Sequence, residues 1–263
     1  MGIAKPFYRL YRPLLNGMEN DYDYVKDRRY AKDRLHLSRA YLNLEEKLKK
    51  IFDYIEPDEA NKAVFSFELY NLFLSACTEV ELNCRQVLLA NGINKKDKHY
   101  TMKDYKKLEK MSKLSQYKFE FPNWRIKENE DVIIRAKKIV PFDWIAEDYK
   151  GQNIYDDNLN WYQKYNKVKH DRETNFEFAS LENCFCAIAG VLAILYSQFG
   201  IHCVETYGTS GIYINKCGEE PVFDANVIFD ITEKPKWDDE DKYDFSWSKL
   251  IQDDNPFVNY PFT

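Results

Sequence analysis

The sequence predicts a mostly α-helical fold, a helical bundle carrying a β-rich insertion and a small C-terminal β-hairpin appendage. Three observations lead there. Apolar residues recur at spacings of three and four through most of the chain, and glycine and proline number only nine each in 263 residues, which favours long regular helices. Between about 116 and 142 the pattern changes to alternation with a period of two. After Gly200 it changes again, to short extended runs broken by turn residues. Residues 1–200 are therefore read as a helical core with the insertion at about 116–142. Residues 201–236 are read as a hairpin packed on that core, and 237–263 as an acidic, aromatic tail.

The elements follow in order. Residues 1–26 hold aromatic and basic side chains without clear periodicity. From Asp27 to Ile55 the apolar positions Leu35, Leu37, Tyr41, Leu44, Leu48, Ile51 and Phe52 mostly recur at helical spacing. Glu56-Pro57 ends that helix, because the residue before proline avoids the α region. A second helix is expected from Pro57-Asp58 to about Ala90, with Phe65, Leu69, Leu72, Phe73, Ala76, Val80 and Val87 as its stripe. Asn91-Gly92 stops it. Thr101 caps a short third helix with Asp104 at the N3 position.

Tyr117, Phe119 and Phe121 alternate with Lys118 and Glu120, and Val132 to Ile134 form a second extended run. That pairing reads as a hairpin or an extended wrap over the bundle. A fourth helix is expected to start near Asp156-Asp157 and run to about Arg172. The last long helix carries Leu181, Phe185, Ile188, Leu192, Leu195 and Phe199 on one apolar face and stops at Gly200. GIYINK, GEEP and VFDANVIFDI then read as a hairpin. The tail groups Asp238, Asp239, Glu240, Asp241 and Asp244 against Lys242, which solubilises that end or folds back on basic surface.

Composition excludes several classes. At 44% hydrophobic residues the chain folds, and a net charge of −5 argues against a surface uniformly coated by nucleic acid but leaves room for a local basic site. MGIAKPFYRLYRP lacks the apolar stretch of a signal peptide, and the longest apolar run, Cys184–Tyr196, has 13 residues, so no membrane association is expected. The six cysteines form no CxxC pair and no zinc spacing with histidine. Reduced thiols and a cytoplasmic location follow, with no metal site and no cofactor expected.

The chemistry concentrates in Trp161–Arg172, WYQKYNKVKHDR. Asn166 and His170 are four apart and share a helix face, while Lys169 and Arg172 share a neighbouring one. Metal-independent RNA cleavage needs a base for the 2′-hydroxyl, an acid for the leaving 5′-oxygen and a cation for the phosphorane. His170 suits proton transfer, Arg172 or Lys169 suits the charge, and Asn166 suits orientation of the ring or the phosphate. A solvated KHDR helix end, with His170 paired to Asp171, is the plain alternative.

On the second helix Glu68, Ser75, Glu79 and Asn83 run beside the apolar stripe. Glu79 and Asn83, with Tyr165 of the motif helix, are read as structural partners of the cationic motif. From Asn91 to Lys118 nine lysines stand against three acids, with Tyr100, Tyr105 and Tyr117 interleaved. Lys103, Lys106, Lys107 and Lys110 are the candidate nucleic-acid contacts, since lysines hold phosphates and tyrosines stack on unpaired bases. A water-facing amphipathic helix is the other reading of that stretch.

The stretch YNKVKHDR resembles the motif of HEPN domains, an arginine, a polar residue, three residues and a histidine. Asn166, Lys167–Lys169 and His170 fit it, and Tyr165 stands where the family has arginine. Ser66–Gly92, YTMKDYKKL and YNKVKHDRETNF together are similar to an uncharacterised bacterial group over roughly 60–200. The HEPN resemblance implies a helical bundle, a homodimer with the site across its two-fold, and RNA binding with metal-independent endoribonuclease activity. The setting it implies is phage defence or toxin–antitoxin, with an antitoxin or defence partner protein. The tyrosine in the arginine slot favours the alternative, a non-catalytic helical module that binds a protein partner or nucleotide.

Overall fold

The computed structural model describes residues 2–97, 99–128, 131–146, 159–206, 209–210, 212–213, 222–223 and 228–262. The helices are α1 (Arg34–Ile51), α2 (Phe67–Ala90), α3 (Met102–Tyr105), α4 (Lys107–Ser112), α5 (Trp161–His170), α6 (Arg172–Asn175), α7 (Leu181–Phe199) and α8 (Trp247–Leu250). The strands are β1 (Lys118–Glu128), β2 (Asp131–Ile139), β3 (Glu205–Thr206), β4 (Thr209–Ser210), β5 (Ile212–Tyr213), β6 (Val222–Phe223) and β7 (Asp230–Glu233).

At the centre stands α7. Its apolar residues were expected on one face, but it is buried all round, including Asn183, Ser197 and Gln198. Leu181–His202 is long and apolar enough by composition to cross a membrane, yet 89% of that window is buried inside the protein. α2 lies along α7, α1 packs on both, and α5 packs on α2. Polar links tie the layers: Gln198 Nε2 donates to Asn83 Oδ1 at 2.9 Å, and Arg9 donates to Gln198 Oε1 at 3.0 Å. Gly200 ends α7 at φ +55°, a conformation that favours glycine, and the Tyr11 ring lies where a Cβ would stand.

Helix ends follow local chemistry. α2 begins later than the pattern suggests, because Val64 and Phe65 run extended beside α7: the Leu181 amide donates to the Val64 carbonyl at 2.9 Å and Phe65 bridges Ser180. Ser66 then caps the helix, accepting from the Leu69 amide at 3.2 Å. α1 likewise starts at Arg34 rather than Asp27, after a 3₁₀ stretch at Glu19–Lys26. The capping box of α3 forms as its sequence implies, with the Thr101 amide 2.7 Å from the Asp104 carboxylate. α5 is capped by Asn160, which exchanges hydrogen bonds with Gln163 at 2.9 and 3.1 Å. Asp156-Asp157, expected at its start, lie outside the described residues.

The fold is mixed α/β, which corrects the expectation of a mostly α bundle with an added β insertion. β1 pairs antiparallel with β2, with a shift between Phe121 and Trp124 where Pro122 interrupts the ladder. β1 also pairs with β7, so one sheet of order β2-β1-β7 joins the middle of the chain to its C-terminal third. Its inner face is core: Phe119, Phe121 and Trp124 are buried, and Phe121 meets Phe185 of α7 edge to face at 5.0 Å. Period-two alternation signals a half-buried strand, but it does not say that the buried half faces the main core.

The appendage divides as well. β5, within GIYINK, pairs antiparallel with β6, consistent with a hairpin, while the rest of GIYINK and the GEEP between the strands lie outside the described residues. The tail is built into the fold rather than merely solubilising an end. Tyr243, Trp247 and Phe257 are buried, and Tyr243 bridges Ile3 and Leu14 in parallel. Arg12 secures this N- and C-terminal wrap, donating to the Met111 and Asp241 carbonyls at 3.0 Å and stacking on Trp237 at 4.4 Å.

Candidate functional site

α5 presents two sides. Trp161, Tyr162, Tyr165 and Val168 are buried; Asn166 is half-buried, and Lys169 and His170 are exposed. Asn166, Lys169 and His170 line a cavity of about 590 Å³ against α2. α2 contributes Thr78, Glu81, Leu82 and Arg85, spaced i, i+3, i+4 and i+7, and the segment before α3 closes the rim with His99, Tyr100 and Thr101. Tyr105 and Tyr162 form apolar walls, their rings edge to face at 6.3 Å. Two of the four histidines in the chain therefore share one cavity with a lysine and an arginine.

Glu81 organises the inner wall. Its carboxylate accepts from the Tyr162 hydroxyl at 2.9 Å, the Tyr165 hydroxyl at 3.3 Å and the Lys169 ammonium at 3.5 Å. Burial, together with the Glu81 charge, pushes the Tyr162 hydroxyl far above its usual range. Tyr162 is thus a fixed donor, unsuited to proton transfer near neutrality. Burial works against the Lys169 ammonium, but Tyr165 and Glu81 outweigh it and hold the lysine protonated above its ordinary range. Its Nζ also lies 5.0 Å from the Tyr165 ring centroid. Arg85 keeps its Nε buried without a hydrogen-bond partner among the described residues.

The expected site residues divide into three groups. Asn166, Lys169 and His170 come together at the cavity, and the Asn166 amide donates to the Tyr162 carbonyl at 3.1 Å. Arg172 does not join them. It follows a helix break at Asp171, and its guanidinium lies 5.5 Å from the rings of both Phe67 and Tyr70. Asp171 is not paired with His170; it caps α6 through the Thr174 amide and hydroxyl.

Of the three structural partners, only Tyr165 touches the motif. It is buried, edge to face with Phe73 at 6.2 Å. Asn83 is a core link to Gln198, and its amide donates to the Glu79 carbonyl at 2.9 Å. Glu79 lies toward α1, where burial raises its pKa and His36 opposes the rise. Two residues along a helix turn roughly 200°, so Glu79 and Glu81 lie on opposite sides of α2. The polar stripe that matters is Thr78-Glu81-Arg85, and its i, i+3, i+7 spacing was its signal in the sequence.

Lys103, Lys106, Lys107 and Lys110 do form one exposed row, but beside the cavity rather than in it. A third hollow, about 890 Å³ between the end of α1 and the start of α2, is lined by Lys47, Lys50, Tyr54 and Glu68 but by no histidine. Among the described residues no three His, Cys, Asp or Glu side chains gather as metal ligands. The five described cysteines are unbridged, and all but Cys186 are fully buried; Cys217 lies outside the described residues. No protein-family model, no curated protein and no solved structure matches this chain.

Proposed function

We infer that the protein binds RNA and cleaves it without a metal ion at the cavity between α2, α5 and the segment before α3. One observation carries this reading: His99 and His170 line the same cavity as Arg85 and Lys169. One imidazole takes the proton of the 2′-hydroxyl as its oxygen attacks phosphorus. The P–O5′ bond breaks, and the other imidazole, protonated beforehand, gives its proton to the departing 5′-oxygen. A 2′,3′-cyclic phosphate and a 5′-hydroxyl result. Arg85 and Lys169 neutralise charge on the non-bridging oxygens, Arg85 with a planar fork and Lys169 with a point charge. Asn166 orients the phosphate or His170. Arg85 takes the part that the sequence suggested for Arg172.

The Asn166–His170 spacing shared with HEPN domains suggests a defence or toxin setting and a second copy of the chain as partner. A second reading has its own support. Glu81 already engages Lys169 at 3.5 Å, so one cation of the site has a carboxylate partner, as befits a module that binds a nucleotide or a protein partner.

Cleavage of a fluorescent single-stranded RNA in EDTA tests the proposal. His170→Ala and His99→Ala should each cut the rate roughly a hundred- to ten-thousand-fold, with melting temperatures nearly unchanged because both side chains are exposed. Wild-type protein that cleaves no RNA, with or without Mg²⁺, would leave the non-catalytic module as the account.

A further inference from the structure

A second depression lies on the other face of the α3–α4 segment. Lys103, Lys106, Lys107 and Lys110 line one side of it, Ile145, Ala146 and Phe262 line the other, and it encloses about 450 Å³. The lysines fall at i, i+3, i+4 and i+7 along α3, the helical turn residue Lys106 and α4, so they share a face. The opposite face is anchored, since Tyr105, Leu108 and Met111 are buried. The Tyr260 hydroxyl also donates to the Lys110 carbonyl at 3.2 Å and holds the C-terminal segment against α4. The core therefore fixes the backbone that carries the four exposed lysines.

Few carboxylates among the described residues stand against Lys103, Lys106 and Lys107. Asp104 lies 3.8 Å from Lys107 but 2.9 Å from Lys95, and Glu109 is turned to Ser115, accepting from its amide at 2.9 Å. Lys103 and Lys106 have no carboxylate within ion-pair distance among the described residues. Across from them Phe262 is 36% exposed and stands edge to face on Tyr260 at 5.2 Å. Ammonium groups spaced along a helix, facing an accessible aromatic ring, match a repeating phosphodiester with unpaired bases. Thr101, Met102 and Tyr105, on the same two turns as the lysines but turned away from them, line the first cavity, so a strand leaving that cavity passes round this short helical segment to reach the lysine row.

We propose that this groove holds the single-stranded flank of an RNA whose scissile phosphate sits in the cavity. The inference rests on the reading of the cavity as an RNA site and adds the substrate class: an extended single strand, not a duplex and not a mononucleotide. A duplex hides its base faces and has nothing to offer Phe262. A mononucleotide occupies the cavity without reaching the row.

Binding of a fluorescent 12-nucleotide 2′-O-methyl RNA, which cannot be cleaved through its 2′-oxygen, tests the groove separately from catalysis. Affinity should fall steeply with salt. In the variant K103Q/K106Q/K107Q the logarithmic salt slope should become shallower by about 2, at roughly 0.7 per lost phosphate contact on a single strand, with melting unchanged. Phe262→Ala should weaken binding several-fold without changing the slope. An unchanged slope and affinity in the lysine variant would overturn the proposal. So would a duplex of the same length competing as well as the single strand, or anionic vesicles competing as well as the RNA. Normal groove behaviour with unmodified RNA left uncut would uphold the groove while sinking the catalytic reading. Cleavage with no response to the lysine changes would do the reverse.

Discussion

Glu81 allows a sharp test of how the cavity wall is held. Its carboxylate is the acceptor for two tyrosine hydroxyls and one ammonium, at 2.9, 3.3 and 3.5 Å. Glu81→Gln keeps one oxygen of similar placement, so the 2.9 Å hydrogen bond from Tyr162 can persist while the ion pair is lost. The Lys169 side chain is 44% exposed and that of Glu81 25%, so solvent screens their attraction and the pair contributes about 0.5–1 kcal/mol. Glu81→Gln should then cost about 1 kcal/mol.

Glu81→Ala removes every acceptor. Tyr162 and Tyr165 are 5% and 1% exposed, so both hydroxyls lose their carboxylate partner in a largely desolvated wall, at about 1 kcal/mol each. The total should reach about 3 kcal/mol. Urea unfolding followed by tryptophan fluorescence, with equal slopes across variants, measures both values. A cycle with Tyr162→Phe should return a coupling near 1 kcal/mol. Should the Ala and Gln variants agree within about 0.5 kcal/mol, the hydroxyls do not depend on Glu81 and the wall is held by ring packing alone.

Three other outcomes follow from the geometry. Arg172→Ala should leave RNA cleavage intact and cost at most about 1 kcal/mol, the worth of an exposed cation over aromatic rings, whereas Arg85→Ala should cut the rate a hundredfold or more; a reversal of that order in parallel assays would return Arg172 to the site. Phe121→Ala should destabilise by about 3–5 kcal/mol in urea, because its ring packs on Phe185, Phe52 and Phe229, and a loss below 1 kcal/mol would mark the sheet as peripheral. His202 is held at about pKa 4 by burial and then by Lys26, with Arg34 acting in the same sense and Asp23 and Glu205 opposing. The unfolded chain binds a proton there at about pH 6.5, so the stability contributed by neutral His202 is complete above that pH and declines as pH falls toward 4, by about 2 kcal/mol after allowance for partial solvation. Urea midpoints at pH 7 and pH 4.5 should lie closer together in His202→Gln than in the parent, and an equal gap would remove His202 as the cause.

Much of the local structure was legible in the residues themselves. The apolar spacing along Leu181–Phe199, the Thr101–Asp104 capping box, the stops at Gly92 and Gly200, and the shared face of Asn166 and His170 all depend on neighbours within a turn or two. Covalent geometry and the 3.6-residue repeat decide such features before any long-range contact forms. Three things were decided only by tertiary structure. The rotation of α2 against α5 selected Glu81 and Arg85 rather than Glu79 as the facing residues, because periodicity marks a buried stripe but not which neighbour flanks each edge. The pairing of β1 with both β2 and β7 made the period-two segment part of the core, since a strand leaves hydrogen-bonding groups on two edges and nothing local names the second partner. The meeting of His99 with His170 needed a loop and a helix 71 residues apart in sequence to close on one cavity, and only the packed chain brings such distant side chains together.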